Sequence, residues 1–122
     1  MIRRILPQRR SAETFQLRFW NQPVSVTIGY YDDDTPGEIF IDAGKSGQDV
    51  QSTARDAAVV LSIALQHGAT VDTIQHALTR LGDGSAASLL GVVIDRLSVL
   101  TLDAAKLAAP SATDPSNIGG NR

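Results

Sequence analysis

Gly44-Lys45-Ser46-Gly47 is the stretch of this sequence whose residue types most invite chemistry. Two glycines let backbone N–H groups converge, the lysine adds positive charge and the serine adds a hydroxyl. Placed between a strand and a helix, such a loop can hold an anion. The nucleoside-triphosphate pattern G-x-x-x-x-G-K-[ST] would require glycine at position 39, where this chain has Ile39 inside a strand. The triphosphatase reading is excluded. Two readings remain: an anion or nucleotide site at Gly44, Lys45, Ser46 and Gly47, or an ordinary strand-to-helix connection that uses glycine for positive φ.

A second candidate is the basic arm MIRRILPQRR, where Arg3, Arg4, Arg9 and Arg10 place four positive charges on a chain of net charge −2. The arm either contacts nucleic acid or pairs with the protein's own carboxylates. His67 and His76 are the only imidazoles, and neither lies at a metal-ligand spacing. Asp32-Asp33-Asp34 lacks the length and ligand spacing of a calcium loop and reads as a solvated turn. No serine sits in a G-x-S-x-G elbow, and Arg55 and Asp56 are adjacent on a helix and face different ways. The residues therefore predict no catalytic group, no metal and no cofactor.

The elements that must position these residues begin with strands. Phe15, Leu17 and Phe19 alternate with Thr14, Gln16 and Arg18, the pattern of a half-buried strand. Asn21-Gln22-Pro23 reads as the turn into Val24–Ile28, which alternates again and ends at Gly29, a candidate bulge. The acidic turn to Gly37 leads into a third strand from Glu38 to Ile41 or a residue beyond. Short connections favour an antiparallel meander.

A long helix follows, Gln51–Gln66, with Asp49 at its start and Gly68 at its stop. Its segment Ala57–Leu65 reads as too apolar for a one-faced surface helix and too short for a membrane span. It is expected to be a buried central helix, with Ser52, Arg55, Asp56, Ser62 and Gln66 forming a narrow solvent stripe. Thr70 caps a second helix, Val71 to about Leu81, and Ser85 or Ser88 starts a third that reaches Ala109 before Pro110. The expected class is α+β, a three-stranded antiparallel meander followed by three helices. The expected organisation is a basic arm over 1–12, one domain over 13–109 and a disordered tail over 110–122.

The 122 residues include no cysteine, which excludes disulfides, thiolate metal sites and thiol chemistry, and fits a cytoplasmic protein. The basic N-terminus carries no apolar stretch of the secretory kind. Three strands offer a small face to a broadly apolar helix and two more helices, so a symmetric homodimer is expected.

The run from Val26 through Arg80 resembles the TSCPD domain, most specifically at Glu38-Ile39-Phe40-Ile41, at Gly44-Lys45-Ser46-Gly47 and over Ser62–Gly68. The resemblance spans roughly Glu13 to Leu97. It implies the module found near the C-terminus of adenosylcobalamin-dependent (class II) ribonucleotide reductases and in short stand-alone proteins, from a bacterial or phage source. The family's usual cysteines just after the loop are replaced here by the region of Gln48 and Asp49. Reductase chemistry needs a cysteine thiyl radical and a reducing cysteine pair, so the resemblance implies a fold and a neighbourhood in deoxyribonucleotide metabolism, not an activity. The expected function is a non-catalytic accessory or protein-interaction domain with a protein partner. The alternative is a small protein binding nucleotide or nucleic-acid phosphate through the glycine-lysine loop or the arm.

Overall fold

Alternation along the first half of the chain builds a meander. The structure, a computed structural model, describes residues 2–44 and 49–108. Strands β1 (Ala12–Phe19), β2 (Gln22–Tyr30) and β3 (Pro36–Asp42) pair antiparallel in the order β1-β2-β3. Helices α1 (Asp49–Gln66), α2 (Val71–Ala77) and α3 (Leu89–Ala108) follow. The α+β class, the meander and the three helices are as the sequence predicts. Val24, Val26, Ile28, Ile39 and Ile41 point inward and are buried, and Phe15, Leu17 and Phe19 pack at their margin. The other sheet face is polar, with Thr14 hydrogen-bonded to Thr27 and Gln16 to Ser25, each at 2.8 Å.

The turns differ in detail from expectation. The β1–β2 loop is Trp20-Asn21 rather than Asn21-Gln22-Pro23, with φ of 51° and 64°. Two left-handed residues match the twist of the flanking strands. Pro23 lies inside β2 opposite Arg18, next to the closing pair Phe19–Gln22. Pairs in an antiparallel ladder alternate, so the Arg18–Pro23 position asks no N–H of the proline. At the other end of β2, Gly29 faces Glu38 but Tyr30 faces Pro36, so the extra residue of the bulge is Gly37 on β3. A Cβ there would lie 2.5 Å from the Tyr31 ring and 2.7 Å from Leu6. Strand β3 accordingly starts at Pro36, two residues before the predicted Glu38.

Helix α1 is the main correction. It packs along β3 and buries one face, including Ala54, Ala58, Leu61 and Leu65. Its outer face is apolar over the second half, where Val59 is 56 %, Val60 66 % and Ile63 41 % exposed. The burial is therefore one-sided: a single three-stranded sheet and α3 cannot surround a helix. Gly68, with φ of 100°, ends it as expected.

Thr70 accepts a hydrogen bond from Thr73 N–H at 3.1 Å and caps α2, which stops at Ala77 rather than Leu81 because Leu78 is extended. Asp83 accepts from the N–H and hydroxyl of Ser85 around Gly84, and Arg80 bridges to Ala86. Ser88, not Ser85, caps α3 by accepting from Gly91 N–H. Leu89, Val93, Ile94 and Leu97 carry α3 into the core. Ala109 and the predicted tail 110–122 lie outside the described residues.

Arg80 fixes this second half by a bidentate pair with Asp95, at 2.6 and 2.7 Å, and Gln75 Nε2 donates to the same carboxylate at 2.9 Å. The Arg80 bonds chiefly, helped by Gln75, hold the Asp95 carboxyl below its ordinary range against the opposing effect of burial.

Two outcomes follow. Leu61→Ala should lower the urea-derived stability by about 2–5 kcal/mol through cavity formation, whereas Val60→Ala should stay within about 0.5 kcal/mol. Equal losses would refute one-sided burial. A carboxyl whose folded pKa is depressed stabilises above the ordinary carboxylate range and loses that contribution as pH falls through its folded value. Asp95→Asn should therefore cost stability at neutral pH and flatten the loss of stability below about pH 4, read as urea midpoints across pH. An acid limb as steep as that of the parent chain would remove Asp95 from that role.

Candidate interaction surface

The outer edge of β3 carries peptide groups that β2 does not reach, and α1 supplies side chains to them. Ser62 Oγ accepts from Ile39 N–H at 2.8 Å, while its proton faces the carbonyls of Ala58 at 2.8 Å and Ile39 at 3.2 Å. Gln66 Nε2 donates to Gly37 C=O at 2.8 Å, and Gln51 Oε1 accepts from Ala43 N–H at 2.7 Å. Ser62 and Gln66 thus do not belong to a solvent stripe. Gln51 and Gln66 are buried, and the three together form a polar rail along β3. Sequence reading missed this role: all three flank the apolar positions Ala54, Ala58, Leu61 and Leu65 on the helix, a placement that suits water as well as a strand edge.

Outside this rail runs a groove of about 700 Å³ between α1 and the polar face of the sheet. Phe40, 57 % exposed, lines it from β3, and Arg55, Val59 and Ile63 line it from α1. Val60 lies beyond the groove on the outer face of the helix. Apolar surface and hydrogen-bonding groups adjoin here, which suits binding.

The predicted site residues are dispersed. Arg3 Nε donates to Gln66 Oε1 at 2.6 Å. Arg4 pairs with Asp33 at 3.1 Å and stacks its guanidinium 3.8 Å from the centre of the Tyr31 ring. Arg10 pairs with Glu38 at 2.5 Å. Arg9 is exposed. The arm is therefore laid along the body, with Arg4 N–H donating to Gln66 C=O at 2.7 Å. Gly44 has φ of 121° and donates to Asp42 Oδ1 at 3.3 Å. Lys45, Ser46 and Gly47 lie outside the described residues, so the loop is seen only at its first glycine.

Other titratable groups are placed locally. Asp33 accepts from the hydroxyl and N–H of Thr35, which with Arg4 hold its carboxyl below the ordinary range. Tyr30 is raised well above the ordinary phenol range, by partial burial first and by donation to Glu13 second. His67 contacts the Ile63 carbonyl and His76 the Asp72 carbonyl. Among the described residues no three His, Cys, Asp or Glu side chains gather as a metal group, and no helix is long and apolar enough to cross a membrane.

Comparison with known proteins gives the surface a context. The family model described as the TSCPD domain matches residues 2–100. The chain is 35 % identical, over 61 % of its length, to a vitamin B12-dependent ribonucleotide reductase of Bradyrhizobium diazoefficiens, and covers 6 % of that protein. It is 29 % identical, over 92 % of its length, to a vitamin B12-dependent ribonucleotide reductase of Agrobacterium fabrum, and covers 10 % of it. The chain thus spans a tenth or less of these relatives. No solved structure matches it significantly.

The rail predicts an asymmetry between two serines of one helix. Ser62→Ala leaves the buried Ile39 N–H without its acceptor and should cost about 1–3 kcal/mol, while Ser52→Ala at an exposed position should cost under about 0.5 kcal/mol. Chemical denaturation of both variants decides it. Indistinguishable stabilities would show that Ser62 does not support the edge.

Proposed function

The chain belongs to the TSCPD domain family, and from that membership we infer a cytoplasmic, non-catalytic accessory module that binds a protein. The observation that carries the reading is the outer face of α1, where Val59, Val60 and Ile63 are exposed together. Contiguous apolar surface beside polar neighbours is characteristic of association sites. The chain has no cysteine, so a thiyl or dithiol route has no group to run on. The partner we propose is a protein of deoxyribonucleotide synthesis, in the first place a vitamin B12-dependent ribonucleotide reductase of the kind this chain is similar to. A second copy of the chain is the other protein the same face can accept. The reading assigns no cofactor to the chain itself.

Phosphate binding by Gly44, Lys45, Ser46 and Gly47, or by the arm, has less support, because Arg3, Arg4 and Arg10 already have partners within the chain.

The test is sedimentation of the purified chain alone and with such a reductase. Association should occur in at least one of the two mixtures, and Val60→Asp should abolish it while leaving the melting temperature within a few degrees. A monomer at high concentration that also ignores the reductase would overturn the docking role. Ribonucleotide turnover by the chain with adenosylcobalamin and a dithiol, above a boiled control, would overturn the non-catalytic one.

A further inference from the structure

Along the outer side of α1, residues recur in steps of three and four: Thr53, Asp56, Val60, Ile63 and His67. That spacing lays them in one stripe turned away from the sheet, and it is the repeat by which two helices mesh. The first four are exposed and His67 is half-buried. Val60 and Ile63 form the apolar middle, with an acid before them and a base after them. Ala57 and Ala64, half-buried beside the stripe, are small enough for a second helix to come close.

The order of these residues is self-complementary. An axis crossing α1 midway between the levels of Leu61 and Ser62 lies equally far from Val60 and Ile63, and equally far from Asp56 and His67. A half-turn about it brings up a second α1, antiparallel to the first. Val60 then meets the second copy's Ile63, and Asp56 meets the second copy's His67, each contact occurring twice. His67 Nδ1 lies 3.0 Å from Ile63 C=O. A carbonyl only accepts, so Nδ1 carries a proton and Nε2 is the nitrogen left to face the carboxylate.

We propose that the outer face of α1 pairs two copies of this chain in that antiparallel register. The inference rests on reading that face as an association surface, and it names the occupant. A two-fold closes a pair by setting the same patch against itself. Parallel helices would set Asp56 against its own copy, two like charges. An axis between the levels of Val59 and Val60 would press Asp56 onto Ile63. The register between Leu61 and Ser62 joins apolar to apolar and acid to base. A partner of unrelated sequence would give no reason for an acid and a base placed evenly about an apolar centre. A reductase that used the same face would compete with the pair.

Sedimentation of the purified full chain over a concentration series at neutral pH reads the dissociation constant of the pair. Asp56→Lys and His67→Glu each set like or nearly like charges together and should weaken pairing about tenfold or more. The double variant sets a lysine against a glutamate at both ends and should pair at least as tightly as the parent chain. Misfolding cannot produce that recovery. The proposal fails if the parent chain stays monomeric up to millimolar concentration. A monomer that still binds the reductase through Val60 would sink the pairing alone and leave the docking role standing. The proposal also fails if the double variant pairs no better than the weaker single one.

Discussion

A strand at the edge of a sheet exposes half its peptide groups, and a helix packed against that edge must answer them or leave them dry. Here α1 answers with Gln51, Ser62 and Gln66, and the answer fixes where the helix can lie. Between Gln51 and Gln66 a helix rises about 22 Å, and between Gly37 and Ala43 a strand spans about 20 Å. The two rows are commensurate only when the helix runs antiparallel to β3 at this one register. Sliding by a turn would separate all three contacts from their partners at once. The apolar residues Ala54, Ala58, Leu61 and Leu65 then fall onto the inner side, and Val59, Val60 and Ile63 are turned outward as the remainder of the helical wheel. The exposed apolar face is thus a geometric result of satisfying the edge. It also blunts the edge against strand addition, the usual hazard of a short meander.

Charge is handled in the same local way. Three of the arm's arginines are spread over a carboxylate at Asp33, a carboxylate at Glu38 and an amide at Gln66. Tyr31 anchors the middle of the arm twice, by donating its hydroxyl proton to Arg4 C=O at 2.8 Å and by offering its ring to the Arg4 guanidinium. Surface ion pairs are individually weak. The cation–π contact over a buried ring and the backbone bonds hold the arm in place, and the ion pairs mainly direct its charges.

The strands were legible because alternation reports a half-buried face directly, as Phe15, Leu17 and Phe19 show. The hairpin was misread because asparagine and proline look like turn residues, whereas the geometry needed two left-handed positions and took Trp20 for one of them. Helix α1 was legible in length and ends, but its polar residues were not. A serine or glutamine beside an apolar stripe can face water or a strand edge, and only the sheet decides. Gly44 was legible as a turn, and its φ of 121° bears that out.

The course of the arm has a consequence for the order in which the chain acquires its form. Arg3 and its hydrogen-bond partner Gln66 lie 63 residues apart in the chain. The meander closes through short loops and can assemble while the helix is still being made. The arm must wait until the last turn of α1 exists, and closing so long a loop carries an entropic charge that hairpins avoid. The arm is therefore a latch that closes over the joint between β3 and α1 only when both are in place.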